Sequence, residues 1–427
     1  MPAVTNKSLI IAAVFCLVAP LTALPGSTDK QCNSPLTVID SVRVFDGLDV
    51  KSEATVILRC SEIVHVLYAP NDYPVPEDAV VIDGQGKTLL PGLIDAHVHV
   101  WRRSQLERSL DFGVTTVFDM GSSRELTLQM RDEEVRGVNH DRADLRSAVL
   151  WVTAPDSHGT QFGEVPTLSE PGEAPDFVTQ RVADGADYIK VIYDHFKMIP
   201  RDVPTLSRET MIATVAAANQ QGRMAVFHSR DVEAVNHAVE AGASGFVHVP
   251  VDEVPGEALV NRMQEKGVFV TPNLSLARNE SSRIMDDPDF GPMLTESEIE
   301  GFGNWRPLRN EGGDEVEYET LITLHRAGVP ILAGSDMPNG GTMAGATVHA
   351  ELELMVEAGM TPVEALRAAT WNPASAYGFE DRGRIAPGML ADLVLVEGKP
   401  DEDIIDTRRI VTIWKSGVIH DPGNQNE

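Results

Sequence analysis

The stretch LIDAHVHV, residues 93–100, decides how this chain is read: an apolar strand runs straight into two histidines, His97 and His99. Side chains on a strand alternate between faces, so residues two apart point the same way. Both imidazoles should therefore leave the end of the strand together, an arrangement suited to a zinc-like ion. An isolated H-x-H is weak and often chance. The rest of the chain gives it weight.

Seven further short apolar runs follow, each succeeded by helical periodicity. They are TTVFDMG (115–121), SAVLWVTAP (147–155), YIKVIYD (188–194), MAVFHS (224–229), SGFVHVP (244–250), VFVTPNL (268–274) and VPILAGSD (329–336). Helical stretches lie between them, one opening on Ser207 as N-cap and another ending at Gly242. Eight strand-then-helix units predict fold class α/β: a closed parallel (β/α)8 barrel of the TIM type, with its reactive groups at the C-terminal strand ends. No Gly-rich phosphate loop supports the alternative, an open doubly wound sheet. The segment 279–328 is too long for a plain connection and is expected to form helical decoration over the barrel mouth.

The chain ends have a different texture. Residues 36–90 alternate β-branched runs with turns, and the pattern returns after Gly383. A small β-sandwich-like satellite domain built from both termini is expected, with residues 24–90 and 379–427 flanking a barrel at 91–378. Residues 1–23 read as a signal peptide: Lys7 is the positive region, the run from Leu9 to Val18 the apolar one, and Thr22 and Ala23 the small residues before Pro25. A membrane anchor needs about 20 apolar residues, more than this run holds. A secreted, extracellular protein without a membrane anchor is expected. Cys16 would leave with the leader, so Cys32 and Cys60 remain as a possible disulfide or as two separate thiols. Asn273 and Asn279 begin sequons; Asn279 reads as a glycosylated surface loop, whereas Asn273 directly follows a strand. With 35 basic and 64 acidic residues, the formal net charge of -29 argues against nucleic acid or an anionic membrane as partner.

Other strands also end in ligand-type residues: Lys190 on the fourth, His228 on the fifth, His248 on the sixth and Asp336 on the eighth. Burying lysine or aspartate there is costly unless the group is paired or metal-bound. Taken singly, His228 or His248 is more often a satisfied core histidine. Four strands delivering such groups to one level favour a metal site. Cys60 falls in the satellite, so a thiol nucleophile is not expected.

PGLIDAHVHV, Lys190 in GADYIKV, His228 in VFHS, His248 in FVHVP, Asp336 in AGSD and the tail from Asn372 together resemble the amidohydrolase superfamily, in its imidazolonepropionase-like and Xaa-Pro dipeptidase-like branch. The resemblance implies two divalent metal ions, zinc above all. His97, His99 and Asp336 would hold the more buried ion, and His228 and His248 the more exposed one. Lys190 would be carboxylated to bridge them, because an ammonium cannot ligate a cation. It implies a metal-bridging hydroxide that attacks an amide-like C–N bond, with catalytic Asp336 as general base and then general acid.

Substrate contacts are expected from the loops after the strands. Trp101, Arg102, Gly159 and His195 lie there, and Tyr193, His158, Arg230 and Asn273 are the substrate-binding candidates. Arg230 suits a carboxylate, and His158 or Tyr193 an oxyanion. His65, His140, His237, His325, His349 and His420 read as non-catalytic. The expected partner is a small amide or dipeptide-like substrate, and a homo-oligomer is compatible with the architecture. Alternatives are a mononuclear deaminase or cyclic-amidine hydrolase, a lactonase, or a non-catalytic binding barrel. Against the deaminase, Asp231 stands where an H-x-x-E pattern needs glutamate.

Overall fold

The computed structural model describes residues 34–71, 73–197, 202–278, 281–304 and 313–421. The leader, Cys32 and Asn279, with the expectations placed on them, lie outside these residues. Five strands come first: β1 (Thr37–Phe45), β2 (Val50–Arg59), β3 (Glu62–Tyr68), β4 (Val80–Asp83) and β5 (Lys87–Pro91). Seven shorter ones follow: β6 (Leu93–Val98), β7 (Val114–Asp119), β8 (Asp144–Ser147), β9 (Ile189–Ile192), β10 (Ala225–His228), β11 (Gly245–Val247) and β12 (Phe269–Thr271). Then β13 (Leu393–Glu397), β14 (Ile410–Lys415) and β15 (Val418–His420) close the series.

Helices alternate with the middle strands: α1 (Arg103–Asp111), α2 (Arg124–Arg136), α3 (Ala174–Ala183), α4 (Arg208–Gln220), α5 (Val232–Ala241) and α6 (Glu257–Glu265). After β12 come α7 (Leu274–Arg278), α8 (Ser281–Met285), α9 (Glu296–Asn304) and α10 (Gly313–Arg326). The last are α11 (Ala346–Glu357), α12 (Pro362–Ala368) and α13 (Trp371–Ala376).

Both chain ends meet in one sheet, ordered β15-β14-β13-β5-β1-β2-β3, with β4 beside β1. Its seam is the antiparallel pair β5 and β13, where Leu90 faces Val394. Ile39, Val44, Val56, Leu89, Leu393 and Trp414 gather into one apolar cluster, which is what the alternating β-branched pattern encodes. The β2–β3 turn reaches the segment before β13: Ile63 N–H donates to Met389 O at 2.9 Å and Ala391 N–H to Ser61 O at 2.8 Å. The sheet thus folds back on itself, the sandwich-like shape expected. Cys60 sits in that turn with φ 55, and a Cβ on Gly417 would lie 1.6 Å from its carbonyl oxygen, so only glycine fits there.

The barrel is assembled from the parallel runs β6-β7-β8 and β9-β10-β11-β12. Val152 bridges to Val191 across the first gap. Residues 330–337 fill the second: Leu332 N–H donates to Val270 O at 2.8 Å, Ala96 N–H to Ala333 O at 2.8 Å and Asp336 N–H to His97 O at 2.7 Å. The eighth strand is therefore present as an irregular closing segment. Regular pairing of the third comes earlier than expected, at Asp144–Ser147, because Val149 takes a left-handed φ of 62 and interrupts the run before Val152. Ile94, Phe118, Tyr188, Val226, Val247 and Leu332 fill the interior, and Tyr377 stacks on Phe118 at 3.8 Å. The barrel is solid, which leaves its mouth for chemistry.

The long insertion is helical as expected, but among its described residues α8 and α9 lie on the flank of the barrel. Ile284, Phe290 and Phe302 pack with Phe112, Met343 and Ala346, and Arg108 binds Glu298 at 2.9 Å. Apolar residues on α8 and α9 draw them onto the flank at α1 and α11. The reach toward the mouth comes from Leu276 on α7 and from α10, whose Glu317 lies 3.7 Å from Arg230.

His349 on α11 is buried between Thr407 Oγ1 (2.9 Å) and Phe112 O (2.9 Å), away from the mouth. Burial lowers its pKa from 6.5 to about 4. The unfolded chain thus binds the proton more tightly, and the stabilisation is fully present above pH 6.5 and lost as pH falls toward 4. The shift corresponds to roughly 3 kcal/mol. Urea titrations should show the wild-type midpoint falling over that window, with His349→Gln lacking this part of the slope.

Candidate active site

Strand alternation alone delivers two of the ligand-type residues. Along β9 and the residues flanking it, Ile189, Val191 and Tyr193 face the helices while Tyr188 faces the interior, which turns Lys190 inward. On β10, Val226 is interior and Phe227 exterior, so His228 points inward. The other four need an irregular backbone. Ile94 and Ala96 are interior but Val98 and Val100 exterior. The parity changes where the β6–β7 register shifts, between Asp95 and Val98, and that shift turns His97 and His99 into the mouth. Val247 is interior, so His248 would face outward; its left-handed φ of 71 turns it back. Asp336 also adopts φ 56, a strained conformation of the kind concentrated at functional sites.

The result is a convergence of polar atoms in a cavity of about 350 Å³ lined by all six residues, His97, His99, Lys190, His228, His248 and Asp336. His97 Nε2 and His99 Nε2 lie 3.2 and 3.4 Å from Asp336 Oδ1, and His248 Nε2 lies 3.7 Å from Asp336 Oδ2. The His228 and His248 rings are 4.7 Å apart. His97, His99 and Asp336 each offer a ligand atom, all within 4.8 Å of one another.

The electrostatics fit a cation. His99 Nδ1 faces Gly121 O at 3.2 Å, and a carbonyl only accepts, so Nδ1 carries a proton. Burial lowers the pKa of His97, His228 and His248 well below the usual imidazole value, with Lys190 adding to it at His97 and His228. Burial opposes the charge on Asp336, yet the His97 and His99 imidazoles and Lys190 hold it below the usual carboxylate range. Imidazole nitrogens thus converge on a carboxylate. His97 Nε2, Asp336 Oδ1 and Lys190 Nζ are buried without hydrogen-bond partners, a costly state that a divalent ion between them would relieve. Burial, the largest effect, lowers Lys190 to about 7.

The four substrate-binding candidates separate. His158 and Arg230 line the cavity. Tyr193 does not: its ring lies in the outer core and its hydroxyl meets His237 Nδ1 at 3.1 Å. The reason is parity, since Lys190 inward puts residue 193 outward. Asn273 is also displaced from that role, standing buried behind His97, with Oδ1 2.8 Å from His97 Nδ1. His195 binds Asp231 at 2.9 Å. The further cluster of His195, Asp231 and Glu233 is already served by Lys197, 3.3 Å from Asp231 and 3.5 Å from Glu233.

Sequence reasoning missed the apolar wall. Trp151, Phe162, Ile192, Leu276 and Pro338 line the cavity with Trp101. A Cβ on Gly121 or on Gly159 would come within 2.3 Å of the Trp151 ring, so these two glycines seat the indole. Nothing in a single sequence marks Phe162 or Leu276 as wall residues, because their position depends on how the loops fold.

Fold and site define a barrel whose mouth gathers unpaired metal-ligand atoms. The Amidohydrolase family profile matches residues 88–422, and the chain belongs to that family, whose members use divalent metals. An imidazolonepropionase of Idiomarina loihiensis is 26% identical over 412 residues, 88% of this chain and 94% of that one. The ochratoxinase of Aspergillus niger is 28% identical over 250 residues, 56% of this chain but only 47% of that protein, so the match spans about half its length. Among solved structures, a Xaa-Pro dipeptidase superposes with TM-score 0.73 at 23% identity, covering 90% of this chain and 99% of that one. The A. niger ochratoxinase does so with TM-score 0.71 at 20% identity, covering 90% and 95%. These superpositions bear on the fold alone; the imidazolonepropionase match agrees with the branch that the motifs resemble.

Proposed function

We propose that this chain is a secreted, binuclear metal-dependent amidohydrolase acting on N-acyl amino acids or dipeptide-like amides. The observation that carries the reading is that His97 Nε2, Asp336 Oδ1 and Lys190 Nζ are buried without hydrogen-bond partners in one cavity that His99, His228 and His248 also line. His97, His99 and Asp336 would hold one divalent ion, His228 and His248 the other, with Lys190 between. Such ions, zinc foremost, supply an acidified water and a polarised carbonyl.

Lys190 has the chemistry for carboxylation. Burial favours the neutral amine, whose lone pair attacks CO2; one proton leaves, and the N-carboxylate supplies the oxygen ligands that the amine lacks. Asp336 accepts the proton of the attacking water at a carboxylate oxygen and passes it to the leaving amine.

His158 is the oxyanion donor. Gly159 N–H donates to Gln161 Oε1 at 2.7 Å, which sets the Gln161 amide so that its Nε2 donates to His158 Nδ1 at 3.2 Å. The His158 proton is therefore on Nε2. Burial, reinforced by His228, lowers its pKa to about 3, so the ring stays a neutral donor. Trp101, Trp151 and Phe162 accept an apolar acyl group. Arg230, anchored through its backbone N–H to Asp194 at 3.0 Å, offers its half-exposed guanidinium to the carboxylate of the released amino acid. The deaminase reading is weakened because Asp231 caps α5, accepting from Ala234 N–H at 3.0 Å. Export, a Cys32–Cys60 disulfide and a glycan on Asn279 belong to this proposal and rest on the sequence pattern.

The test is a screen of zinc-loaded protein against N-acyl amino acids, dipeptides, hydantoins and lactones. Hydrolysis of aromatic N-acyl amino acids is expected. Arg230→Met should raise KM about 10- to 100-fold for them at little change in kcat, as loss of a charged hydrogen bond does, and should leave carboxamide-capped analogues unaffected. Rapid lactone opening with every amide inert would overturn the substrate assignment.

A further inference from the structure

We propose that Asn273 is a positioning residue that locks His97 in the tautomer able to ligate a cation. The inference rests on the metal-centre reading above and deepens it. Asn273 Nδ2 donates to Gly334 O at 2.8 Å. A carbonyl oxygen accepts only, so the amide cannot be turned round without setting two oxygens against each other. Asn273 Oδ1 is therefore the atom 2.8 Å from His97 Nδ1. It accepts only, and the His97 proton is placed on Nδ1. Nε2 is left with its lone pair, buried and without a partner, 3.2 Å from Asp336 Oδ1.

Three features hold the amide in place. Asn273 has φ 58, a left-handed conformation that asparagine tolerates better than most residues. The next two amides, Leu274 N–H and Ser275 N–H, donate at 2.9 and 2.8 Å to the two carboxylate oxygens of Glu351, which is fully buried on α11. Gly334 brings its carbonyl close because it lacks a side chain: a Cβ there would lie 2.5 Å from Thr271 Cγ2 and 2.9 Å from His97 Cβ. The order of action is Glu351 on the loop, the loop on Asn273, and Asn273 on His97. A ligating imidazole whose other nitrogen is held by an oriented acceptor keeps its lone pair aimed, and removing such a partner typically costs 10- to 100-fold in metal affinity.

Asn273→Gly tests this, since glycine takes φ 58 freely and only the side chain is lost. Two measurements are read: 15N NMR of histidine-labelled metal-free protein, with His97 assigned from the His97→Gln spectrum, and zinc affinity by competition with a chromophoric chelator. The wild type should show His97 protonated at Nδ1. Asn273→Gly should show a tautomer mixture and a zinc Kd raised about 10- to 100-fold. An unchanged His97 tautomer and zinc Kd in Asn273→Gly would overturn the proposal. Wild-type protein that binds no zinc yet shows the Nδ1 proton would sink the metal reading and leave the tautomer lock standing.

Discussion

Lys190→Ala is expected to abolish measurable turnover and to lower bound zinc from about two ions per chain to about one or none, because the proposed function makes Lys190 the shared ligand of a two-metal site. Lys190 is buried on β9, in register with Val226 of β10, and its Nζ has no hydrogen-bond partner. A buried lysine kept only for packing would leave metal content unchanged when truncated. On the carboxylation proposed above, the alanine variant leaves space for a small carboxylate, so acetate or propionate at millimolar concentration should restore part of the activity. Exchange of 13C-bicarbonate into wild-type protein should give a carbamate resonance absent from the variant. Full zinc content and full activity in Lys190→Ala would remove Lys190 from the metal centre.

Asp336→Asn is the second large effect. Losing general acid–base transfer costs about 10²- to 10⁴-fold, and the amide that replaces the carboxylate still has an oxygen to offer a cation. kcat should therefore fall by about a thousandfold while zinc remains bound and KM changes little. Asp336 is the residue toward which His97, His99 and His248 all turn, so the variant also separates enzyme from binding protein. A binding barrel would retain its ligand affinity and show no lost turnover, since it had none.

Much of the chemistry was legible early because it depends on residue type and coarse order. The apolar runs named seven barrel strands at nearly their observed places, and each of the six ligand-type residues reached the mouth. The irregularities were not legible. Alternation accounts for Lys190 and His228, but His97 and His99 need the register shift after Asp95, and His248 needs a left-handed backbone. The same parity rule, applied to Tyr193, would have kept it out of the site, since it lies three residues beyond an inward Lys190.

Hydrophobic periodicity and ligand placement along the chain sufficed for the barrel, the satellite sheet and the inventory of metal-seeking groups, since these follow from local side-chain alternation and from burial. Which atom of each group faces which neighbour was settled only by packing between segments far apart in the chain. Asn273 stands behind His97 because a glycine carbonyl 61 residues away orients its amide. Trp151 forms a wall because Gly121 and Gly159 leave it room. Hydrogen-bond direction and close approach are properties of pairs in space, and a single chain written in order does not contain them.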